Sequence, residues 1–407
     1  MRKLKVVAII VAAVLMLTGC AMFTRNETRA ANQVVATVNG TQVHRYQVEK
    51  YFHIAYFEVN QTPVDTLASA SKSDYRTQLS AAVETYAKQL VLIQKARQLG
   101  LSLSEDDKAS NRKSADEAFG SVKESIKASV EDEAKTNTSL NVDAETEERY
   151  QAELKTLGFN ADDYFDYLND QTLITKVEEY AKQFAQVTDE DAKSWYDQML
   201  AEQQKKMDAD PSVFATNVYS SHICTYIPED TVAVKQVLLA YKDKDLSEVA
   251  QQLYNDGKTE EAMAILKPQI DELTPEAESI ARQLKDGANI DDLIKQYGED
   301  PGMTSGTTAK TGYLVGNSTK NFLQQFKDEA LKLKNVGDVS QPLATYYGIH
   351  VLQAIKIYKK GVVAYDEIKD QIKTALLPSK QAEKVAELEE QWYKEANITY
   401  DKERLFN

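Results

Sequence analysis

Two runs bracket the stretch that decides the fold: Gln296-Tyr297-Gly298-Glu299-Asp300-Pro301-Gly302 and Ser340-Gln341-Pro342-Leu343-Ala344-Thr345-Tyr346-Tyr347-Gly348-Ile349-His350-Val351-Leu352. Between them lie a Gly312-Tyr313-Leu314 turn and an aromatic segment, Phe322 to Leu333, that reads as a helix. Just upstream, Ile290, Leu293, Ile294 and Tyr297 recur at helical steps and Gly298 stops them. Tyr313-Leu314-Val315 and His350-Val351-Leu352 read as short strands. Further back, Val234-Lys235-Gln236-Val237-Leu238-Leu239 reads as a buried strand, followed by a helical stretch at about 245–271. Thr274-Pro275 then predicts a new helix with an N-cap and proline at its first position, and Gly287 its stop. The order over 233–357 is strand, helices, strand, helix, strand, which predicts a small α/β module.

Outward from this module the chain is helical. Val34 to Val43 contains Asn39-Gly40 between two short alternating runs, a hairpin signal, and a helix follows at about 46–59. From about 73 to 207 helices predominate, with Leu79, Val83, Tyr86, Leu90 and Ile93 on one apolar face. Residues 101–148 are poor in large apolar groups and read as solvated helices or a mobile insertion rather than core. Thr188 reads as the N-cap of a helix whose first turn carries Asp189, Glu190 and Asp191. Asp208 to Val213 breaks the helical pattern, and Tyr226-Ile227-Pro228-Glu229-Asp230 marks a linker. Past Lys360, Ile368, Ile372 and Leu376 form one helical face, Pro378 interrupts, and Val385, Leu388 and Trp392 form the next. Helices on both sides of an α/β module predict an insertion, with the C-terminal helices returning to the N-terminal helical domain.

The first residues have another use. Arg2, Lys3 and Lys5 precede an unbroken apolar run from Val6 to Leu17, too short to span a bilayer core of about 30 Å. Leu17-Thr18-Gly19-Cys20 follows and resembles a bacterial lipobox, which implies lipidation of Cys20 and a polar tether to residue 33. Removing the three basic leader residues takes the formal charge from −15 to −18, so a nucleic-acid partner is not expected. Cys224 is the only other cysteine, and with Cys20 acylated no internal disulfide can form. The four histidines, His44, His53, His222 and His350, have no metal-ligand spacing, and no nucleotide-binding or serine-hydrolase motif appears.

The bracketed stretch resembles the second half of a parvulin-type peptidyl-prolyl isomerase domain. The Val-Ala-Thr-Val-Asn-Gly opening and the Val-Thr-Asp-Glu segment resemble extracytoplasmic chaperones of the PrsA and SurA type. The resemblance implies an α+β fold: a mainly helical chaperone domain made by N- and C-terminal segments, with a parvulin-like α/β domain inserted. The expected division is 1–19 signal peptide, 20–33 tether, 34–228 helical domain, 229–357 isomerase domain and 358–407 C-terminal helices. The site residues it implies are His350 at the second family histidine, Thr345 at the hydroxyl position and Asp300 at the Cys/Asp position. Phe326 falls at the pocket phenylalanine, Phe322 one turn earlier at the Met/Leu position, and Leu314 beside them.

Two departures stand out. Gln236 occupies the position of the first family histidine, and Thr308 to Gly312 replaces the usual Gly-Gly-Asp-Leu-Gly turn. A side-chain amide can still hydrogen-bond His350 or Thr345. An alternative register, with His222 on the histidine strand, requires a long insertion before the first helix and is disfavoured. The implied function is a foldase, lipid-anchored on the outer face of a bacterial cell membrane, that isomerises X–Pro bonds in unfolded or newly exported polypeptides without any cofactor. The alternative is a non-catalytic holdase with a degenerate isomerase domain. A solute-binding lipoprotein shares the leader, but the long helical half argues against it.

Overall fold

The computed structural model describes residues 31–406, so Cys20 and the leader lie outside the described residues. The chain forms two compact units, one from the residues up to 186 together with those from 379 onward, the other from 187 to 378.

In the first unit, β1 (Val34–Val38) and β2 (Thr41–His44) pair antiparallel through Asn39 and Gly40, both in the left-handed region. That is the backbone a two-residue hairpin turn requires. Helices α1 (Arg45–Asn60), α2 (Asp65–Ala70), α3 (Lys72–Gln98), α4 (Glu105–Ala134), α5 (Val142–Leu157) and α6 (Ala161–Lys182) follow. The C-terminal segment returns: β9 (Ile398–Tyr400) adds to β1 with Val38 opposite Ile398. Val35, Val38 and Phe52 share a core with Leu79, Val83 and Val91 of α3, Val177 of α6, and Trp392 and Leu405 from the C-terminal end. Residues 101–148 contribute more than a solvated surface. Ala115 and Phe119 of α4 bury with Ile54, Leu157, Phe159 and Tyr164 in a second cluster, where Phe119 meets Phe159 edge-on. A few large side chains on one face of α4 suffice to hold an otherwise polar helix.

The second unit opens with α7 (Asp189–Ala209), whose N-cap is Thr188. Its hydroxyl accepts from the Asp191 N–H at 3.0 Å, and the Asp191 carboxylate accepts from the Thr188 N–H at 2.9 Å. Helix α8 (Ser212–Tyr219), β3 (Tyr226–Ile227) and β4 (Thr231–Ala240) lead into α9 (Lys244–Asn255), α10 (Thr259–Lys285) and α11 (Ile290–Tyr297). The short helices α12 (Pro301–Thr304) and α13 (Gly306–Thr311) precede β5 (Tyr313–Gly316), α14 (Gln324–Lys332), β6 (Leu343–Ala344), β7 (Gly348–Tyr358) and β8 (Gly361–Val362). Helix α15 (Tyr365–Glu395) gives residues 365–378 to this unit and the remainder to the first. Residues 187–228 and 358–378 thus lie in the unit that holds the four-stranded sheet, where Ala192 and Tyr196 of α7 bury against Ile368 and Ile372.

The four-stranded sheet is antiparallel in the order β5-β4-β7-β6. Alternation sends Val237, Leu239, Ile349 and Val351 to a face covered by Ala262 and Leu266 of α10 and Leu293 of α11. Val232, Val234, Val315 and Leu352 face the other way, against Phe326 and Ala330 of α14. Gly312 turns the chain into β5 with φ +74°, and a Cβ there would stand 2.8 Å from the Val234 carbonyl oxygen. Only glycine meets both conditions.

Three sequence expectations are corrected. The break expected before Pro275 lies instead at 256–258, where Gly257 is left-handed, and α10 runs unbroken through Pro268 and Pro275. Helix α15 likewise continues through Pro378. A proline inside a helix costs about 3 kcal/mol, and in α10 burial of Leu266, Ala277, Ile280 and Leu284 offsets it. Phe322 precedes α14 rather than lying on that helix one turn before Phe326.

Candidate active site

Three backbone facts assemble the site. Gln236 sits diagonally from His350 across the β4–β7 pair: Gln236 is opposite Leu352, and His350 opposite Leu238. Diagonal partners on one sheet face are within reach of long side chains. Strand β5 pairs with β4 only as far as Val234. Beyond it the β4 edge is taken by Glu299, whose N–H donates to the Leu238 carbonyl at 3.0 Å and whose carboxylate accepts from the Ala240 N–H at 2.7 Å. This delivers Asp300, the N-cap of α12, to Gln236. Thr345 follows β6, and its N–H donates to the Gly348 carbonyl across the tight turn into β7.

The four side chains then bond in series. Gln236 Nε2 donates to Asp300 Oδ2 at 2.5 Å, and Gln236 Oε1 lies 2.6 Å from His350 Nδ1. His350 Nε2 lies 2.8 Å from Thr345 Oγ1, which accepts from the Tyr347 N–H at 3.0 Å. An amide oxygen has no proton, so His350 Nδ1 must carry one; the neutral ring then accepts at Nε2 from the Thr345 hydroxyl. Every donor in the series points toward Asp300. Thr345 is 0% exposed, His350 4%, Gln236 5% and Asp300 9%, so these groups satisfy one another in place of water. Burial lowers the His350 pKa to about 4, against an opposing pull from the Asp300 charge.

An apolar wall stands beside the series. The rings of Phe322 and Phe326 stack with centroids 5.1 Å apart, and Phe326 meets the His350 ring edge-on at 5.6 Å. Phe326 is buried and Phe322 partly open to solvent. Gln236, Asp300, Thr345, His350, Phe322 and Phe326 are therefore brought together. Leu314 is not: paired with Ala233 on β4, it points to the opposite face, and its N–H donates to the Tyr219 hydroxyl at 2.9 Å. Tyr313, absent from the sequence expectation, holds that place. Its ring meets Phe322 at 5.2 Å, and its hydroxyl donates to Asp300 Oδ2 at 2.9 Å. The available signal was strand parity, because Tyr313 pairs with Val234, two residues from Gln236 on one face. His222 is exposed and outside the sheet, which leaves Gln236 on the strand beside His350. Among the described residues no cluster of three or more His, Cys, Asp or Glu side chains could hold a metal ion.

Comparison with known proteins matches two separate regions of the chain. A family profile described as a PPIC-type PPIase domain matches residues 259–356, and one described as a SurA-like N-terminal domain matches 2–124. The foldase protein PrsA of Clostridium acetobutylicum is 22% identical over 95% of this chain and 93% of its own length. PrsA of Clostridium perfringens strain 13 is 22% identical over 98% and 95%. Among solved structures, PrsA from Bacillus subtilis matches 93% of this chain and 99% of its own, at 18% identity and a TM-score of 0.23. A SurA-like chaperone from Campylobacter jejuni matches 91% and 99%, at 11% identity and a TM-score of 0.29. The profiles and the fold define a peptidyl-prolyl isomerase with a SurA-like N-terminal domain. The chain is similar over nearly its whole length to PrsA foldases, and together with the isomerase domain this similarity supports a foldase and chaperone role.

Proposed function

We propose that the Thr345–His350–Gln236–Asp300 series and the Phe322–Phe326 wall are the isomerase site. The observation that carries this reading is the unbroken hydrogen-bond series ending on a carboxylate beside a partly open aromatic pair. Rotation about an X–Pro bond faces a barrier of about 18–20 kcal/mol because resonance keeps the amide planar. That resonance places negative charge on the carbonyl oxygen, and twisting withdraws it. A carboxylate held next to this oxygen disfavours the planar amide more than the twisted one, which lowers the barrier. The prolyl ring would seat on Phe322 and Phe326, which exclude water and strengthen the effect. Buried and mutually bonded, Thr345, His350 and Gln236 hold Asp300 in place and keep Phe326 upright.

In this reading the first unit receives unfolded segments. The lipobox supports attachment through Cys20 to the outer face of a bacterial cell membrane, where newly exported chains emerge. No helix among the described residues is long and apolar enough to cross a membrane. Cis–trans exchange of an X–Pro peptide, followed by NMR, tests the site. Wild type accelerates it, and His350→Ala and Phe322→Ala lose about 10-fold or more; undiminished rates in both contradict the assignment. Metabolic fatty-acid labelling tests the anchor: label should enter wild type and be absent from Cys20→Ser, and label retained in the variant removes Cys20 as its site.

A further inference from the structure

Tyr313 hydrogen-bonds the carboxylate that ends the polar series and also packs on both rings of the aromatic pair. Its hydroxyl lies 2.9 and 3.2 Å from the two Asp300 oxygens. Its ring stands edge-on to Phe322 at 5.2 Å and to Phe326 at 6.4 Å. The neighbouring backbone is shaped to admit it: a Cβ on Gly302 would collide with the Tyr313 hydroxyl oxygen before any other atom. Gly302 also donates its N–H to Asp300 Oδ1 at 2.8 Å, so glycine, tyrosine and aspartate meet at one point. The strand that carries Tyr313 is paired with the strand that carries Gln236, which fixes both donors to Asp300 on one sheet face.

We infer that Tyr313 is the positioning residue of the isomerase site, orienting the Asp300 carboxylate with its hydroxyl while its ring closes the prolyl slot. The inference rests on the assignment of Asp300 proposed above. Gln236 and Gly302 each bond one Asp300 oxygen from a single direction; Tyr313 alone reaches both. Without it each Asp300 oxygen keeps a single hydrogen bond, and the carboxyl group is held less firmly. The ring's contact with the aromatic pair in turn fixes where the hydroxyl sits, so occupancy of the slot and orientation of the charge are tied together.

The test is a double-mutant cycle in the full chain, with kcat and KM for an X–Pro peptide separated by NMR exchange. Tyr313→Phe keeps the ring and loses the hydroxyl. It is expected to lower kcat about 10-fold, the worth of one hydrogen bond to a charged group, with KM little changed. In an Asp300→Asn background the same substitution should cost nothing further, because residues that act as a unit are not additive. Gly302→Ala supplies an independent readout. It should lower kcat in the presence of Tyr313 and cost clearly less in Tyr313→Phe, where the colliding oxygen is gone and only the ring carbon at 3.0 Å remains. An unchanged kcat in Tyr313→Phe, an equal loss in the Asp300→Asn background, or an equal Gly302→Ala loss in both backgrounds overturns the inference. Wild-type kcat in Asp300→Asn alone overturns the site assignment itself, and the inference with it.

Discussion

Gln236 Oε1 lies 2.6 Å from His350 Nδ1, an amide accepting from a buried ring. The amide reproduces what a neutral imidazole offers, one acceptor and one donor on the same side chain. It differs in having no protonation equilibrium near neutral pH. The series from Thr345 to Asp300 therefore has one direction, fixed by the chemistry of the amide.

Cutting the series should destabilise the second unit. Gln236→Leu leaves the His350 Nδ1–H buried without a partner and Asp300 Oδ2 with the Tyr313 hydroxyl alone. The expected loss is about 1–3 kcal/mol, read from denaturant unfolding followed at sheet amides. A loss near zero means the two groups find other partners.

Acid should weaken the same unit through His350. The ordinary ring titrates at 6.5, and burial lowers the folded value to about 4. Between those values the unfolded chain binds more protons, so stability rises with pH. The contribution is complete above about pH 6.5 and is lost as pH falls through 4, roughly 3 kcal/mol in all. Subtracting the pH–stability curve of His350→Gln from that of wild type isolates this part. A flat difference between pH 4 and 6.5 contradicts it.

The two phenylalanines should separate stability from binding. Phe326 is 4% exposed, and Phe326→Ala should cost about 3–5 kcal/mol as a core truncation. Phe322 is partly open, so Phe322→Ala should cost clearly less in unfolding while raising KM for an X–Pro peptide. Equal unfolding losses mean that Phe322 is core rather than slot.

Pro275 is an exposed helix-interior proline, so Pro275→Ala should raise the melting temperature of the second unit. Relief of up to about 3 kcal/mol is offset by the ~0.4–1 kcal/mol that proline contributes by restricting the unfolded chain. A fall in melting temperature shows that the helix is shaped around the ring.

Much of this was legible in the sequence because it rests on local chemistry. The Asn39-Gly40 hairpin, the Thr188 cap and the Gly298 stop each announce a backbone state through one or two residues. Gln236, Asp300, Thr345 and His350 could be placed by resemblance, and they meet in space. What was missed depends on tertiary contact. Pro275 and Pro378 read as breaks because the packing that carries a helix across a proline is invisible in the local pattern. Residues 101–148 looked coreless because Ala115 and Phe119 are few, and their partners lie elsewhere in the chain. Leu314 was named and Tyr313 missed because a strand of four residues carries too little alternation to fix its faces, and parity tells only once β5 is paired with β4.

The decisive measurement is the rate of cis–trans exchange of an X–Pro peptide with wild type, Gln236→Leu and Gln236→His. Wild type should accelerate exchange, and Gln236→His, which keeps one donor and one acceptor, should retain most of that rate near neutral pH. Gln236→Leu should lose about 10-fold or more, as expected when a charge-bearing hydrogen bond at the site is removed. Exchange as fast with Gln236→Leu as with wild type would show that isomerisation does not depend on the hydrogen-bonded series ending at Asp300.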